Sequence, residues 1–427
     1  MTEVLHRSDP GRTLLLHGDR TWTYGLADRN SDAAAALLQQ GGVTRGDRVA
    51  LLLDNSPDYV WLLLGLAKLG AIGVTLNTEA RGKLLEYLVA DCGARHAVVD
   101  ARHRDTLDAA YPGGADAHFD RLWVREGPGF VEEIAAGSFS VTFDGEPRAL
   151  DPWLFIYTSG TTGRSKAVVA PHGHAVTTGL LVARQAGLTA DDRMYTCLPF
   201  FHANALWYTL LAAMSVGASV VVAERFSASR FWEEITRHGC TEVNAMGSMM
   251  QILEKLPVSD AGRAHTLRTA FVVPFPGDPQ AFERRFRARL MTTYALSEWV
   301  PASLSRPGGG YGRGIHAGPV CGPSEVHIVD DDDRELPFGE VGKITLRSRD
   351  PWTTFLGYHG KPKGPSSSRR RQPARPSRSR RRCRSRVALA ARSRETHRPA
   401  PTPESVGVPT SSSRSRSRST RSTAAPS

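Results

Sequence analysis

Residues 47–70, DRVALLLDNSPDYVWLLLGLAKLG, form one complete strand-and-helix unit and decide the fold class. The run 47–53 is short and apolar, as a buried strand requires. Ser56 and Pro57 then supply a capping residue and a proline at the first helical position, and Gly70 ends the apolar run that follows. The stretch therefore predicts a strand followed by a helix.

The same alternation recurs along the chain. A helix-like pattern is followed by a strand-like run three more times. The pairs are KLLEYLVADC with 97–100, 207–216 with 218–223, and 229–238 with 241–246. The strand-like runs are continuously apolar rather than alternating, which is typical of sheets covered by helices on both faces. The sequence predicts an α/β fold with a large N-terminal domain over residues 1–360.

The pattern changes from about residue 322. SEVHIVDDDDRELPFGEVGKITLRS (324–348) alternates strand, acidic turn and strand, with Gly339 and Gly342 as turn residues. We expect a small β-rich subdomain at about 320–360.

Charge is distributed unevenly. The 427 residues carry a formal net charge of +11, but residues 365–427 hold 17 Arg and two acidic residues, so the first 364 residues carry −4. Residues 365–427 also contain 16 Ser and no aromatic residue. Such a composition cannot bury enough apolar surface to fold, so we expect 361–427 to be a disordered tail.

The five cysteines are odd in number and far apart, and none forms a CxxC pair, so neither a disulfide framework nor a zinc site is indicated. The N-terminus lacks an apolar stretch of signal-peptide length, and the longest apolar run is about half a membrane span. We expect a cytoplasmic protein without a transmembrane segment. A homodimer stays open.

Residues 158–166, TSGTTGRSK, are dominated by Thr, Ser and Gly and end on Lys166. Two glycines allow close backbone approach to a ligand, hydroxyl and N–H groups suit phosphate oxygens, and Lys166 adds a positive charge. The loop lacks the GK[ST] of a Walker A motif. Its composition fits either a polyphosphate-binding loop or a flexible polar turn.

YTSGTTGRSK (157–166) resembles the signature loop of the adenylate-forming superfamily, which includes acyl- and aryl-CoA synthetases, luciferases and nonribosomal peptide adenylation domains. LPFFHANAL (198–206), TTYALSEW (292–299) and PWTTFLGYHGKP (351–362) resemble further family motifs in the expected order. The resemblance covers about residues 12–361 and leans towards crotonobetaine/carnitine-type and medium- or long-chain acyl-CoA ligases.

The resemblance implies an ATP-dependent carboxylic acid–CoA ligase. The acid would attack the α-phosphate of ATP to give acyl-AMP, and the thiol of CoA would then displace AMP, with Mg²⁺ as the cation. Lys166 would bind phosphate, Glu298 would ligate Mg²⁺, Tyr294 would stack on adenine, and Ser297 would contact phosphate or acyl oxygen. The implied phosphate-binding loop residues are Thr158, Ser159, Gly160, Thr161, Thr162 and Gly163.

His202 would line the acyl or CoA entrance, with an ordinary interior histidine as the alternative. Residues 246–249 would line the acyl pocket, although methionines at such spacing also serve as core packing. The implied context is fatty acid metabolism.

The chain departs from the family pattern in several places. Ser165, Ala167, Ala295 and Ser297 replace the usual Pro, Gly, Gly and Thr. After Gly360 we recognise neither the ribose-binding Asp nor a lysine-bearing C-terminal domain, so we expect a truncated ligase of low or no activity. A change of reading frame near Lys361 would explain the break.

Two other functions compete with the ligase. The chain could be a non-catalytic nucleotide- or acyl-binding remnant. A nucleic-acid-binding role through the basic tail is disfavoured because no aromatic residues interleave with the arginines, and we expect no specific nucleic acid partner.

Overall fold

The computed structural model of this chain describes residues 2–111, 113–127, 129–158, 164–309, 316–361 and 386–389. The strands are β1 Thr13–His17, β2 Arg20–Thr23, β3 Arg48–Leu52, β4 Ile72–Thr75, β5 His96–Asp100, β6 Arg121–Arg125, β7 Pro152–Tyr157, β8 Ala167–Pro171, β9 Arg193–Thr196, β10 Ser219–Val222, β11 Glu242–Met246, β12 Thr269–Val273, β13 Arg289–Met291, β14 Thr293–Leu296, β15 Trp299–Leu304, β16 Ser324–Val329, β17 Lys343–Ser348 and β18 Arg386–Leu389.

The α-helices are α1 Thr2–His6, α2 Tyr24–Gln40, α3 Pro57–Leu69, α4 Gly82–Cys92, α5 Arg104–Asp108, α6 Phe130–Ala136, α7 His172–Ala186, α8 Ala203–Ala205, α9 Leu211–Met214, α10 Phe231–Arg237, α11 Gly247–Lys255, α12 Ala261–Ala264 and α13 Pro279–Phe286. Short 3₁₀ turns cover Ala101–His103, Ala115–Ala117 and Pro351–Thr353.

Two large sheets form the body. The first has the strand order β6-β5-β3-β4-β7-β8, and the second has the order β13-β12-β11-β9-β10-β1-β2. Neighbouring strands are parallel except for β7 with β8 and β1 with β2. Strands β4, β5 and β10 are buried at every position, as expected where helices cover both faces. The predicted α/β class is confirmed.

The unit at 47–70 folds as its sequence signals predict. The Ser56 hydroxyl accepts a 3.3 Å hydrogen bond from the Tyr59 N–H, and Pro57 occupies the first turn of α3. Gly70 ends the helix at φ 68°, a left-handed conformation that glycine adopts without steric cost. All of α3 is buried, so the helix packs within the core rather than on the surface.

The predicted helix over 207–216 differs in detail. Leu206–Leu210 form a π-helical turn that continues into α9. The buried Asn244 amide donates 3.1 Å to the Thr209 hydroxyl in this turn. Asn244 lies in β11, which is distant in sequence from this turn. The spacing of apolar residues over 207–216 carries no information about such a partner.

The C-terminal part of the described chain is β-rich, as expected. Strands β14 and β15 pair antiparallel, and β16 pairs antiparallel with β17. The backbone of β18 adds to the other edge of β17. The subdomain boundary at about residue 320 and the domain end at 360 stay predictions, and the predicted disorder of 361–427 falls almost entirely outside the described residues.

Cys92, Cys197, Cys240 and Cys321 are free thiols, and Cys383 lies outside the described residues. Among the helices that the structure describes, none is long and apolar enough to cross a membrane.

Candidate active site

The two ends of the predicted phosphate loop are fixed by strand pairing. Strands β7 and β8 run antiparallel with Tyr157 opposite Ala167, and the Thr158 N–H donates 3.1 Å to the Lys166 carbonyl. The structure describes Thr158 and residues 164–166 of this loop. The predicted phosphate-binding residues Ser159, Gly160, Thr161, Thr162 and Gly163 lie outside the described residues.

Helix α4 holds both ends of the loop. The Tyr87 hydroxyl donates 2.7 Å to the Ser165 carbonyl, and the Tyr157 hydroxyl donates 2.9 Å to the Asp91 carboxylate. The Arg164 guanidinium also lies 5.4 Å from the centre of the Tyr87 ring. Burial raises the pKa of both tyrosines, and the nearby Asp91 carboxylate adds to this effect, so both hydroxyls stay protonated and able to donate. Tyr87 carries no motif signal in the sequence, and sequence reasoning missed it.

Glu298 lies in the turn between β14 and β15, where Leu296 pairs with Trp299. Trp299 is fully buried and its indole N–H donates 2.9 Å to the Ser324 hydroxyl, which anchors the hairpin to β16. Tyr294, Ser297 and Glu298 are all half-buried. The three site residues predicted in TTYALSEW therefore lie on one short hairpin, at the edge of solvent rather than in the core.

Residues 354–359 form a strap that joins this hairpin to the phosphate loop. On one side the Phe355 N–H donates 3.1 Å to the Glu298 carbonyl. On the other side the Leu356 N–H donates 2.8 Å to Val169, and the His359 N–H donates 2.9 Å to Ala167. The strap thus pairs with β8 directly after Lys166 and with the backbone of Glu298.

Tyr358 of the strap touches both predicted charged site residues. Its hydroxyl donates 2.7 Å to Oε1 of Glu298, and the Lys166 ammonium lies 5.1 Å from the centre of its ring. Lys166 and Glu298, 132 positions apart in sequence, are therefore held around one side chain. The motif PWTTFLGYHGKP contains Tyr358, but sequence reasoning assigned this residue no role.

The donor chemistry around Glu298 suits a hard divalent cation. Its carboxylate is half-buried, and the hydrogen bond from Tyr358 uses only Oε1. Within the described residues Glu298 forms no ion pair with Lys166, so the carboxylate keeps its charge available. Mg²⁺ prefers one or two carboxylate oxygens together with phosphate oxygens and water, and this arrangement fits that preference.

His202 has a different set of contacts. It precedes α8, its side chain is exposed, and its ring contacts the neighbouring Phe201 ring at 4.6 Å. No contact of His202 with Lys166, Glu298 or Tyr358 is present among the described residues.

A cavity of about 450 Å³ opens at the carboxyl ends of strands from both sheets. Apolar side chains of Leu53, Leu198, Phe201, Phe226 and Met249 line it, together with the acidic or basic side chains of Asp54, Glu79, Arg102, His103, Glu224 and Arg225. Of the predicted pocket residues 246–249, Met249 lines this cavity, whereas Met246 is 40% exposed.

Arg102 links the two sheets across this cavity. Its guanidinium lies 3.3 Å from the Asp54 carboxylate and 2.6 Å from the Glu224 carboxylate. The hydrogen bond from His103, together with the charges of His103 and Arg102, holds the pKa of Asp54 below its usual range. Asp54, Asp100 and His103 could offer ligand atoms within 4.8 Å of one another, but Arg125 pairs with Asp100 as Arg102 does with Asp54. These carboxylates therefore act as partners of arginines, and we assign no metal there.

Comparison with known proteins agrees with this geometry. The family model "AMP-binding enzyme" matches residues 3–359. A crotonobetaine/carnitine–CoA ligase of Salmonella paratyphi C is 28% identical over 359 residues, which are 80% of this chain and 68% of the relative. Long-chain fatty acid transport protein 2 of Rattus norvegicus is 30% identical over 379 residues, 83% of this chain and 61% of that protein.

Solved structures share the fold. The anthranilate CoA ligase AuaEII in complex with anthranoyl-AMP has a TM-score of 0.74 at 24% identity, covering 84% of this chain and 71% of that one. The N-terminal domain of FACL13 from Mycobacterium tuberculosis has a TM-score of 0.74 at 22% identity, covering 84% and 90%. The relatives include acyl-CoA ligases. Because the family model matches residues 3–359, and Lys166 and Glu298 both contact Tyr358, this chain belongs to the AMP-binding enzymes.

Proposed function

We propose that this chain is an acid–thiol ligase that activates a carboxylic acid with ATP and transfers the acyl group to CoA. In the first step a carboxylate oxygen attacks the α-phosphorus of ATP, and the bond to pyrophosphate breaks to leave acyl-AMP. In the second step the CoA sulfur attacks the acyl carbon, AMP leaves, and the thiol proton passes to solvent.

The observation that carries this proposal is the contact of Tyr358 with both Lys166 and Glu298. A positive charge on a Gly-rich loop and a hard carboxylate on a neighbouring hairpin are the two groups that a nucleoside triphosphate and its cation require. Lys166 would bind phosphate oxygens, and Glu298 would hold Mg²⁺. Bound Mg²⁺ would neutralise charge that develops on the phosphates during transfer.

The remaining site residues extend this proposal. Thr158 and residues 159–163 would surround the phosphates with hydroxyl and N–H groups. Tyr294 would stack on adenine, and Ser297, beside Glu298, would contact phosphate or acyl oxygen. His202, exposed at the start of α8, would border the entrance for the acyl group or CoA.

For the acid, we propose an acyl substrate of the fatty acid or betaine class. Two kinds of relative support this choice, a crotonobetaine/carnitine–CoA ligase and a long-chain fatty acid transport protein. The cavity has apolar lining residues such as Met249 and charged lining residues such as Arg102. The apolar residues would contact the acyl chain, and the charged residues would contact a polar group of the acid. A cytoplasmic location and a homodimer remain predictions.

Pyrophosphate exchange tests this function directly. The full chain is incubated with ATP, Mg²⁺, labelled pyrophosphate and a panel of acids that includes crotonobetaine, carnitine and fatty acids of graded length. Acid-dependent incorporation of label into ATP at a low rate is the expected result, because several residues of the chain depart from the family pattern, and thioester formation is then followed with CoA. ATP binding without exchange for any acid would favour the alternative, a non-catalytic nucleotide- or acyl-binding remnant.

A further inference from the structure

We propose that Tyr358 is a positioning residue that holds Lys166 and Glu298 apart and oriented, so that each charge is available to a different part of a bound metal–nucleotide complex. This inference rests on the proposed function, because it deepens the description of the same site. It assigns to the strap 354–359 a role in the site that no sequence signal indicated.

The first argument is the chemistry of the Tyr358 hydroxyl. It can donate only one hydrogen bond, and this bond goes to Oε1 of Glu298 at 2.7 Å. A carboxylate fixed through one oxygen has lost its rotational freedom but still presents Oε2 to a ligand.

The second argument concerns the Tyr358 ring. The Lys166 ammonium lies 5.1 Å from the ring centre, within the range of a cation–π contact. The cation–π contact therefore positions the Lys166 ammonium without using its N–H groups, which can donate hydrogen bonds to a ligand. Direct pairing of Lys166 with Glu298 would consume both charges, and the described structure has no such pair.

The third argument is the rigidity of the strap itself. Tyr358 bridges Val168 of β8, and the neighbouring His359 N–H donates to the Ala167 carbonyl at 2.9 Å. The Phe355 ring packs edge-on against the Tyr358 ring at 5.1 Å, while its own N–H donates to the Glu298 carbonyl. Backbone and ring contacts on both sides thus define where the hydroxyl points.

The test compares ATP affinity of the full chain with saturating Mg²⁺ and with EDTA, by isothermal titration calorimetry. Tyr358→Phe removes the hydroxyl but keeps the ring, so ATP affinity should fall about ten-fold with Mg²⁺ and stay unchanged in EDTA, since a hydrogen bond to a charged group is lost. Tyr358→Leu removes the ring as well and should weaken ATP binding under both conditions.

Tyr111→Phe is the matched control, because the Tyr111 hydroxyl is buried without a hydrogen-bond partner among the described residues. It should bind ATP as the wild type does. In a double-mutant cycle, Tyr358→Phe should have no effect in a Glu298→Gln background, because the hydroxyl acts through that carboxylate.

The outcomes separate the two proposals. If the wild type binds ATP and Tyr358→Phe binds it equally well, or loses affinity equally with Mg²⁺ and with EDTA, the positioning role is overturned while the proposed function stands. If the wild type binds no ATP under either condition, the proposed function fails and this inference fails with it.

Discussion

The Tyr87 hydroxyl donates a 2.7 Å hydrogen bond to the carbonyl oxygen of Ser165, one residue before the loop lysine. Four residues further along α4, Asp91 accepts from Tyr157 on the other stem of the loop. Residues four apart lie on the same face of a helix. One face of α4 therefore fixes both stems of the predicted phosphate loop.

This contact predicts that Tyr87→Phe weakens ATP binding without unfolding the protein. Loss of one hydrogen bond is worth about 1 kcal/mol, so we expect an affinity loss of about five-fold by calorimetry. Tyr111→Phe again serves as the control. Wild-type ATP affinity in Tyr87→Phe would show that the loop does not depend on this anchor.

Lys166→Ala is expected to reduce pyrophosphate exchange by about 10² to 10³, the effect of removing one preorganised charge donor from such a site. Lys166 is exposed, so the melting temperature should not change. Lys83→Ala, which removes another exposed lysine, should exchange pyrophosphate at the wild-type rate. Equal rates for the two variants would exclude Lys166 from the reaction.

Asn55 connects the two sheets and predicts a stability effect. Its amide donates to the Leu198 carbonyl at 2.8 Å and to the Ala223 carbonyl at 3.1 Å, and it accepts from the Phe200 N–H at 2.8 Å. Asn55→Ala leaves these buried groups without a partner and should lower the free energy of unfolding by about 2 kcal/mol in urea titrations. Asn77→Ala, which removes only a local bond to the Glu79 N–H, should cost clearly less. If Asn55→Ala lowers the free energy of unfolding no more than Asn77→Ala does, the hydrogen bonds of Asn55 between the sheets do not stabilise the protein.

Gly65 marks the close crossing of α3 and α2. A Cβ there would lie 2.9 Å from the Ala35 nitrogen and 2.9 Å from the Ser31 carbonyl oxygen. Alanine favours a helix by about 1 kcal/mol over glycine, but forcing the two backbones apart costs about 1 to 3 kcal/mol, so Gly65→Ala should be net destabilising. Thermal melting checks this, with Gly137→Ala as a control whose Cβ would lie 3.6 Å from its nearest neighbour. A melting temperature above that of the wild type would contradict it.

Buried His172 predicts loss of stability in acid. Burial lowers its pKa to about 3, whereas in the unfolded chain the imidazole titrates near 6.5. Below about pH 6.5 the unfolded state binds a proton that the folded state does not, so stability falls with pH by about 1.4 kcal/mol per unit from this group.

His172→Phe should remove this contribution while keeping a ring against Trp153, which stacks on His172 at 5.8 Å. Urea unfolding at about pH 7 and about pH 5.5 gives the loss in free energy of unfolding for each protein. Subtracting the loss of the variant from that of the wild type leaves the contribution of His172, because the other groups titrate alike in both proteins. Parallel losses of stability in the two proteins would show that His172 does not titrate on unfolding.

Local signals in the sequence determined much of the fold. Ser56 and Pro57 begin α3 and Gly70 ends it, because capping and left-handed termination depend on residues within one turn of the helix end. The strand-like run 97–100 predicted a strand buried on both faces, because burial pattern follows side-chain period, and the observed strand β5 is buried at every position. Short motifs likewise single out Lys166 and Glu298 as candidate site residues.

Only the tertiary structure decided the order of the strands and the contents of the site. Strand β1 lies beside β10, about 205 positions along the chain, and nothing local to either strand specifies that neighbour. Tyr358 meets Lys166 and Glu298 because the strap pairs with β8 and the hairpin at once. Sequence patterns report on residues that are close along the chain. Contacts between distant residues, such as those of Tyr358, depend on how the sheets pack against each other in the complete fold.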